Sequence, residues 1–182
     1  TPRAFVAGRI AENTMIYRDE TGMKLMRAPG THYESGLVDW IQAIPEINRG
    51  TIVEVGSWCG ESAVIFAKYF KMVVCVDSWQ GYDEQFQVFK NRIKPLNNVI
   101  WHRLPSVRAA KIYLDKSIDG AYIDAGHTYR DVLTDTHAWR PKCTAFIGGH
   151  DYQDNNGVRK AVDVTFRGVK IFKDTSWLYR IV

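Results

Sequence analysis

Hydrophobic and polar positions along the chain fall into blocks that predict strands and helices in turn. Thr51–Val55 is a short β-branched run, which is typical of a strand buried on both faces. Gly56–Gly60 lets the backbone turn tightly, Glu61–Phe70 carries the apolar stripe of a helix, and Val73–Val76 is a second apolar strand that ends at Asp77. In the right-handed crossover that this order predicts, both strands deliver their carboxyl ends to one edge of a sheet.

The same alternation continues on both sides of this unit. Further helices are predicted at Tyr33–Ile47, Tyr82–Ile93, Val107–Leu114, Tyr129–Trp139 and Val158–Phe166, and further strands at Val99–Leu104, Asp119–Asp124, Thr144–Gly149, Val169–Phe172 and Trp177–Val182. Thr128 is a candidate cap for the helix that begins at Tyr129. The last two strands are joined by a short turn, which favours an antiparallel hairpin because parallel pairing needs a crossover. The pattern predicts an α/β fold: a doubly wound, Rossmann-like, mostly parallel sheet of about seven strands with helices on both faces.

Composition limits the class of protein. The 182 residues are 46% hydrophobic and 24% charged, which suits one globular domain with a sizeable core. We expect an N-terminal arm at residues 1–32, which covers the cofactor or is a partly ordered tail, and a single domain at residues 33–182. The net charge of +4 is mild and no dense basic run is present, so nucleic acid is not expected as a partner. No apolar run approaches the ~20 residues of a membrane span, so a membrane is not expected either.

The three cysteines are Cys59, Cys75 and Cys143, an odd number that lies in or beside predicted buried elements. Such cysteines favour structural thiols in a reducing compartment, and therefore a cytoplasmic location. Cys59 is the exception to follow, because a turn beside a helix N-terminus lowers the pKa of a thiol.

Glycines and acids at the ends of the first two predicted strands indicate a nucleotide site. Gly56 and Gly60 do not fit a dinucleotide fingerprint, and no Walker lysine follows them. Glu54 before the first glycine and Asp77 at the second strand end suit a cationic, hydroxyl-bearing ligand such as S-adenosylmethionine. Asp77 is then expected to accept from the ribose hydroxyls, while the turn amides receive the methionine carboxylate. The alternative is an ordinary βαβ unit with a tight turn.

The loops that follow the second and third strands are expected at the same edge. Ser78 and Trp79 come directly after Asp77, and Ser106 follows the strand that ends at Leu104. Two interpretations of Trp79 stay open: its ring stacks on the adenine, or it is a local packing anchor. Ser106 is a candidate contact to the adenine.

Two more predicted strands end in carboxylates beside histidines. Asp124 is followed by His127, and His150 directly precedes Asp151. Two carboxylates and an imidazole suit a divalent cation such as Mg²⁺ or Mn²⁺, with Asp124, His150 and Asp151 as candidate ligands. His127 is a candidate general base for a substrate hydroxyl. In the alternative interpretation Asp124 caps the next helix or holds the cofactor, and His150 only supports its neighbours.

The motifs together resemble a known family. Glu54–Val64 resembles the first motif of class I S-adenosylmethionine-dependent methyltransferases, while Ile123–Tyr129 and Gly149–Tyr152 are similar to the group comprising methyltransferase domain family 24 and catechol O-methyltransferase. The similarity extends over about residues 35 to 182. His150 stands where the metal-dependent members carry the first acid of a pair, and Ala125 replaces a glycine of the family motif.

The resemblance implies a role for each matching residue. The methionine part of the cofactor would be held by Gly56, Ser57, Trp58 and Ser62, with Gly60 closing the turn. Asp77 would bind the ribose, and Trp79 and Ser106 would flank the adenine. Asp124 and Asp151 would match metal ligands, and His127 would fall where catechol-type enzymes carry a lysine base.

The expected activity is methyl transfer from S-adenosylmethionine to a hydroxyl oxygen of a small molecule: a sugar, a phenol or a natural product. A nicotinamide-dependent oxidoreductase on a similar sheet is one alternative, although the spacing after Gly56 disfavours it. A non-catalytic module that retains the fold is another. The short chain offers no obvious domain for a macromolecular substrate, so a small acceptor, or a site completed by the second subunit of a homodimer, is expected.

Overall fold

A seven-stranded sheet forms the centre of the computed structural model, which describes residues 8–9, 15–16, 32–153 and 157–181. Its strands are β1 (Thr51–Val55), β2 (Met72–Asp77), β3 (Val99–Arg103), β4 (Ile118–Ile123), β5 (Cys143–Gly149), β6 (Lys170–Ile171) and β7 (Trp177–Arg180). The spatial order is β3-β2-β1-β4-β5-β7-β6. The first five strands in this order are parallel, whereas β7 is antiparallel to both of its neighbours. The predicted doubly wound sheet with a hairpin at its edge is confirmed.

Within the described residues, six α-helices flank the sheet. They are α1 (His32–Gln42), α2 (Glu61–Ala67), α3 (Asp83–Ile93), α4 (Ser106–Ala110), α5 (Tyr129–Trp139) and α6 (Gly157–Thr165). α5 has the predicted bounds, and the Thr128 hydroxyl accepts a hydrogen bond from the Asp131 amide at 3.2 Å, as a cap should. α1 ends earlier than predicted because Pro45 cannot continue a helix and starts a short 3₁₀ turn instead.

The two faces of the sheet carry separate hydrophobic cores, because side chains alternate between faces along each strand. On one face α1, α2 and α3 pack through a group of aromatic rings that includes Trp40, Phe66 and Phe146. On the other face α4, α5 and α6 pack against a second cluster that includes Trp139 and Trp177. Burial on both sides explains why the central strands are almost continuously apolar.

The register of the central strands brings four chain segments to one edge. Val55 at the end of β1 pairs with Val76 of β2 and with Ile123 of β4, and Ile123 pairs with Gly149 of β5. Backbone hydrogen bonds extend this register by one residue: the Asp124 amide donates to Val55 at 2.8 Å. The predicted convergence of glycine turn and strand-end acids at a single edge is therefore confirmed.

The predicted N-terminal arm lies largely outside the described residues. Within it, Gly8–Arg9 pairs antiparallel with Met15–Ile16. The expectation that the arm covers the cofactor stays a prediction. Within the described ranges, no helix has both the length and the apolar character required to cross a membrane.

Candidate functional site

A cavity of about 490 Å³ opens at the carboxyl edge of β1, β2, β4 and β5. It is lined by Gly56, Ser57, Trp58, Cys59, Gly60, Glu61, Ser62, Asp77, Asp124, Ala125, Gly126, His127 and Asp151. A second cavity of about 220 Å³ adjoins it and is lined by Val55, Gly56, Val76, Asp77, Ser78, Gln80, Pro105, Ser106 and Ala125. Gly56, Asp77 and Ala125 line both cavities, so one elongated ligand can occupy the pair.

The turn between β1 and α2 depends on glycine at two positions. Gly56 has φ of +95°, and a Cβ atom there would approach the backbone of Asp124 and Ala125 to under 3.0 Å. Gly60 has φ of +80° and donates its amide to the Ser57 carbonyl at 2.7 Å. Gly56 therefore allows the turn to pack against the end of β4, and Gly60 allows it to pack against Phe89 of α3.

Asp77 holds two neighbouring backbone segments together. Its two carboxylate oxygens accept from the amides of Trp58 at 3.0 Å and Trp79 at 2.9 Å. Both tryptophans have positive φ, +46° and +43°, a region that costs a non-glycine residue about 1–2 kcal/mol. Strained residues held by their surroundings are typical of functional sites. Asp77 also lies between the two cavities, where it was predicted to meet a ribose.

Glu54 was predicted to contact the cofactor, and its position in the structure corrects that prediction. It is fully buried and lines neither cavity. Its carboxyl group accepts hydrogen bonds from the Ser62 hydroxyl and from the Cys75 thiol, the latter at 3.6 Å. Burial raises the pKa of Glu54 to about 7. Glu54 therefore braces the first turn of α2 from inside the core and does not touch a ligand directly.

The substitution Glu54→Gln is expected to remove a pH dependence of folding stability. An acid with a raised pKa in the folded state stabilises the fold fully below its unfolded pKa of 4.5 and loses that contribution as pH rises to about 7. For this shift the loss is about 3 kcal/mol. Urea unfolding of both proteins at pH 4.5 and 7.5 measures it, because all other titrating groups are shared. If the free energy of unfolding changed equally between the two pH values in both proteins, Glu54 would not be the source of the pH dependence.

Two carboxylates and two imidazoles meet beyond the ends of β4 and β5. His127 Nε2 lies 3.2 Å from an oxygen of Asp151 and 3.7 Å from one of Asp124. His150 Nδ1 lies 3.3 Å and 3.9 Å from the same two carboxylates. Asp151 has φ of +59°, another strained backbone position at this edge. The predicted meeting of these four side chains is thus observed.

The electrostatics of this cluster raise the pKa of both histidines. Burial raises the pKa of Asp124, opposed by the neighbouring His127 and His150. The Asp124 carboxylate beside it raises the pKa of His127 above its ordinary value. Burial alone would lower the pKa of His150, but Asp151 and Asp124 raise it overall. Each imidazolium is therefore stabilised by an adjacent carboxylate.

The donor atoms best placed for a cation differ from the predicted set by one residue. One ligand atom each from Asp124, His127 and Asp151 lies within 4.8 Å of the others. The sequence predicted His150 as the third ligand, but His150 is 7% exposed and does not line the cavity, whereas His127 does. The prediction was correct in bringing Asp124 and Asp151 together, and the choice of His150 as a ligand stays a prediction beside the geometric candidate His127.

The predicted adenine contacts divide between the cavity and the core. Ser78 and Ser106 line the smaller cavity, and the Ser106 hydroxyl accepts from the Trp139 indole at 2.9 Å. Trp79 is fully buried, with its ring against Phe86 and Phe89. The interpretation of Trp79 as a stacking surface for adenine is therefore wrong, and the alternative of a packing anchor is correct.

Cys59 and Arg92 also depart from what the sequence suggested. Burial raises the pKa of the Cys59 thiol, which reverses the expected lowering. Arg92 on α3 is fully buried and donates to the Cys59 carbonyl at 2.6 Å. No signal in the amphipathic pattern of α3 marked this arginine, since arginine is ordinarily a surface residue.

Comparison with known proteins relates this chain to a family of enzymes. The sequence profile of a family described as "Methyltransferase domain" matches residues 53–152, which include both glycines, Asp77 and the acid–histidine cluster. A search of the curated proteins found no match to this sequence.

Three solved structures illustrate the likeness in fold. A structural genomics target from Corynebacterium glutamicum superposes with a TM-score of 0.62 at 11% identity, over 84% of this chain and 81% of the other. An rRNA methylase from Streptococcus thermophilus gives 0.56 at 11% identity, over 85% and 95%. Phosphoethanolamine N-methyltransferase 1 from Haemonchus contortus, solved with phosphoethanolamine and S-adenosylhomocysteine, gives 0.52 at 16% identity, over 66% of this chain and 26% of that longer one. At these identities the likeness concerns the fold alone.

Proposed function

This chain belongs to the family of methyltransferase domains, and from that premise we propose that it transfers a methyl group from S-adenosylmethionine to a hydroxyl oxygen of a small molecule. The observation that carries the proposal is the convergence of three features on one cavity: the Gly56–Gly60 turn, Asp77 and the cluster around Asp124. A nucleotide site and a proton-accepting group thus share the same space.

The two adjoining cavities suggest how the cofactor lies. The methionine part would rest against the Gly56–Gly60 turn and Ser62, all of which line the larger cavity. The ribose would meet Asp77, whose carboxyl oxygens have lone pairs beyond the two that the backbone amides use. The adenine would enter the smaller cavity beside Ser106. Asp77 supports this arrangement because it borders both spaces.

The reaction needs little from the protein beyond alignment and proton removal. The sulfonium group supplies an electrophilic methyl, so the chain must hold the acceptor oxygen in line and accept its proton. His127 is the candidate base, because its imidazole borders the cavity and is about half exposed at 54%. Asp151, at 3.2 Å, would orient the ring and stabilise the imidazolium that forms.

A metal-assisted variant of the same reaction is the second candidate. The donor atoms of Asp124, His127 and Asp151 within 4.8 Å of one another favour it. Two carboxylates and one imidazole suit Mn²⁺ or Mg²⁺, and such an ion lowers the pKa of a bound hydroxyl. In this variant His127 would be a ligand and no longer available as the base, so the two candidates predict different behaviour towards metal.

The charge of the cavity supports a small acceptor over a nucleic acid. Glu61, Asp77, Asp124 and Asp151 line the larger cavity, and none of its described lining residues is lysine or arginine. A phosphate backbone is normally held by such cations, and carboxylates would repel it. At the rim, the exposed rings of Trp58 and Tyr82 pack edge to face at 4.9 Å and offer an apolar surface to a sugar or phenol.

Calorimetry with S-adenosylhomocysteine tests the cofactor assignment. Wild-type protein is expected to bind it, and Asp77→Asn to weaken binding by about 100-fold, because hydrogen bonds to a charged group contribute about 1.5–3 kcal/mol each. Asp83→Asn is the matched control, since that carboxylate is exposed, pairs with Arg103 and lines neither cavity.

Three outcomes would count against the proposed function, the first two through the cofactor and the third through the activity. Equal affinity in the Asp77 variant and wild type would remove the ribose contact. Binding of NADH in place of S-adenosylhomocysteine, seen as a thermal shift, would favour the oxidoreductase. Tight cofactor binding with no turnover on any phenol or sugar would favour a non-catalytic module.

A further inference from the structure

Two buried side chains hold the back of the Gly56–Gly60 turn. The indole Nε1 of Trp79 donates to the carbonyl of Trp58 at 2.7 Å. The guanidinium Nη1 of Arg92 donates to the next carbonyl, that of Cys59, at 2.6 Å. Both donor side chains have 0% exposure. Two successive carbonyls of the turn are therefore fixed by side chains from outside the β1–α2 unit.

Fixing a carbonyl also fixes the amide that follows it. A trans peptide is planar, so its C=O and N–H point in opposite directions. The Trp58 carbonyl points to Trp79, which is packed in the core, and the Cys59 amide must therefore point to the other side of the turn. Cys59 is one of the residues that line the larger cavity. Turned the other way, the same peptide would present a carbonyl oxygen to the cavity, where it would repel a ligand carboxylate.

The turn does not hold this conformation by its own preference. Trp58 has φ of +46°, and a non-glycine residue in that region is disfavoured by about 1–2 kcal/mol. Its amide is held by Asp77 and its carbonyl by Trp79. The amide and the carbonyl of Trp58 thus each have a hydrogen-bond partner that resists relaxation of the strained backbone.

Arg92 is difficult to explain as a contribution to stability alone. Burial of a guanidinium carries a large desolvation penalty, and an apolar side chain of similar size would pack at lower cost. Besides the Cys59 carbonyl, Arg92 lies 3.7 Å from the carboxylate of Glu61, another residue of the larger cavity. Two of its contacts are therefore with residues of the ligand cavity.

We propose that Trp79 and Arg92 are positioning residues, whose buried N–H groups orient the turn that receives the methionine part of S-adenosylmethionine. They act on the ligand only through the backbone: Trp79 sets the peptide that ends in the Cys59 amide, and Arg92 supports the tight turn in which the Gly60 amide donates to the Ser57 carbonyl. The inference rests on the proposed function, because the methionine part must lie against this turn.

The protein offers a matched control for the tryptophan. Trp40 on α1 is also fully buried, and its Nε1 donates to the carbonyl of Trp177 at 2.8 Å, but it lines neither cavity. Trp79→Phe and Trp40→Phe each remove one buried indole hydrogen bond and keep an aromatic ring. Both variants should melt at a lower temperature than wild type, so a general loss of stability affects them alike.

Two ligands separate positioning from general loosening. S-adenosylhomocysteine carries the amino-acid group, whereas 5′-methylthioadenosine has the same nucleoside without it. By calorimetry, Trp79→Phe should bind the first about tenfold more weakly and the second as wild type does. Trp40→Phe should bind both ligands as wild type does.

Arg92 is tested by graded replacement. Arg92→Lys keeps a charged donor and should retain most of the affinity for S-adenosylhomocysteine, whereas Arg92→Met should lose about tenfold. If Arg92→Met does not fold, the tryptophan pair decides the question. Equal affinities in Trp79→Phe and Trp40→Phe would overturn the proposal, and so would equal weakening of both ligands in Trp79→Phe. Wild-type protein that fails to bind S-adenosylhomocysteine would instead overturn the proposed function.

Discussion

Gly56→Ala is expected to destabilise the protein by more than about 4 kcal/mol, a size of effect that few single substitutions reach. An added Cβ would lie under 3.0 Å from the backbone of Asp124 and Ala125, where no flexible side chain can move aside. The positive φ of +95° adds strain of about 1–2 kcal/mol for any residue with a side chain. Because the clash lies between β1 and β4, relief requires these strand ends to separate, which would also abolish binding of S-adenosylhomocysteine.

Gly168→Ala is the matched control for this prediction. Gly168 also has positive φ, +76°, but a Cβ there meets nothing within 4 Å. Its cost should therefore be the backbone strain alone, about 1–2 kcal/mol, with binding unchanged. Urea unfolding gives the free energies and calorimetry gives the affinities. Similar destabilisation by the two substitutions would show that the close approach of β1 and β4 does not constrain position 56.

His127→Ala is expected to lower kcat by about 10²–10⁴-fold, the usual contribution of a general base. The assay is release of S-adenosylhomocysteine from S-adenosylmethionine with a panel of small phenols and sugars. Binding of S-adenosylhomocysteine should remain close to wild type, because His127 is assigned to the acceptor and not to the cofactor. His137→Ala is the control, since His137 is exposed on the same region of chain but lies on α5 outside both cavities.

Metal titration then separates the two candidate mechanisms. If the cluster binds a cation, Mn²⁺ should bind wild-type protein, Asp151→Asn should weaken that binding, and a chelator should lower activity. If His127 acts as the base without metal, activity should survive the chelator while His127→Ala remains slow. Full activity of His127→Ala, with and without chelator, would leave alignment alone as the source of catalysis.

The sequence predicted the parts of the fold that follow from local pattern. Each strand end was marked by an apolar run followed by a polar or glycine residue, and parallel strands place such ends at one edge. The pattern alone therefore predicts that Asp77 and Asp124 lie close together. Thr128 was predictable as a cap because capping depends only on residues within one turn.

What the sequence could not predict depends on which side of an element faces the core. Glu54 was expected to face the ligand because it precedes the first glycine, yet the alternation along β1 turns its side chain into the core. Trp79 follows a strand end as a ligand contact would, but its ring is fully buried against Phe86 and Phe89. His127 and His150 have equivalent chemistry, and only the three-dimensional course of the two loops decides which one borders the cavity.

The residues that border the two cavities all fall between Val55 and Asp151. Helix α1 and the terminal hairpin of β6 and β7 supply support without touching either space. Among the described residues, the cavity-lining side chains are thus confined to one contiguous interval, and α1 and the terminal hairpin support it from outside. Exchange of the flanking segments between related proteins should consequently alter thermal stability or acceptor preference and leave the methyl donor unchanged. This interval is therefore a natural unit for recombination.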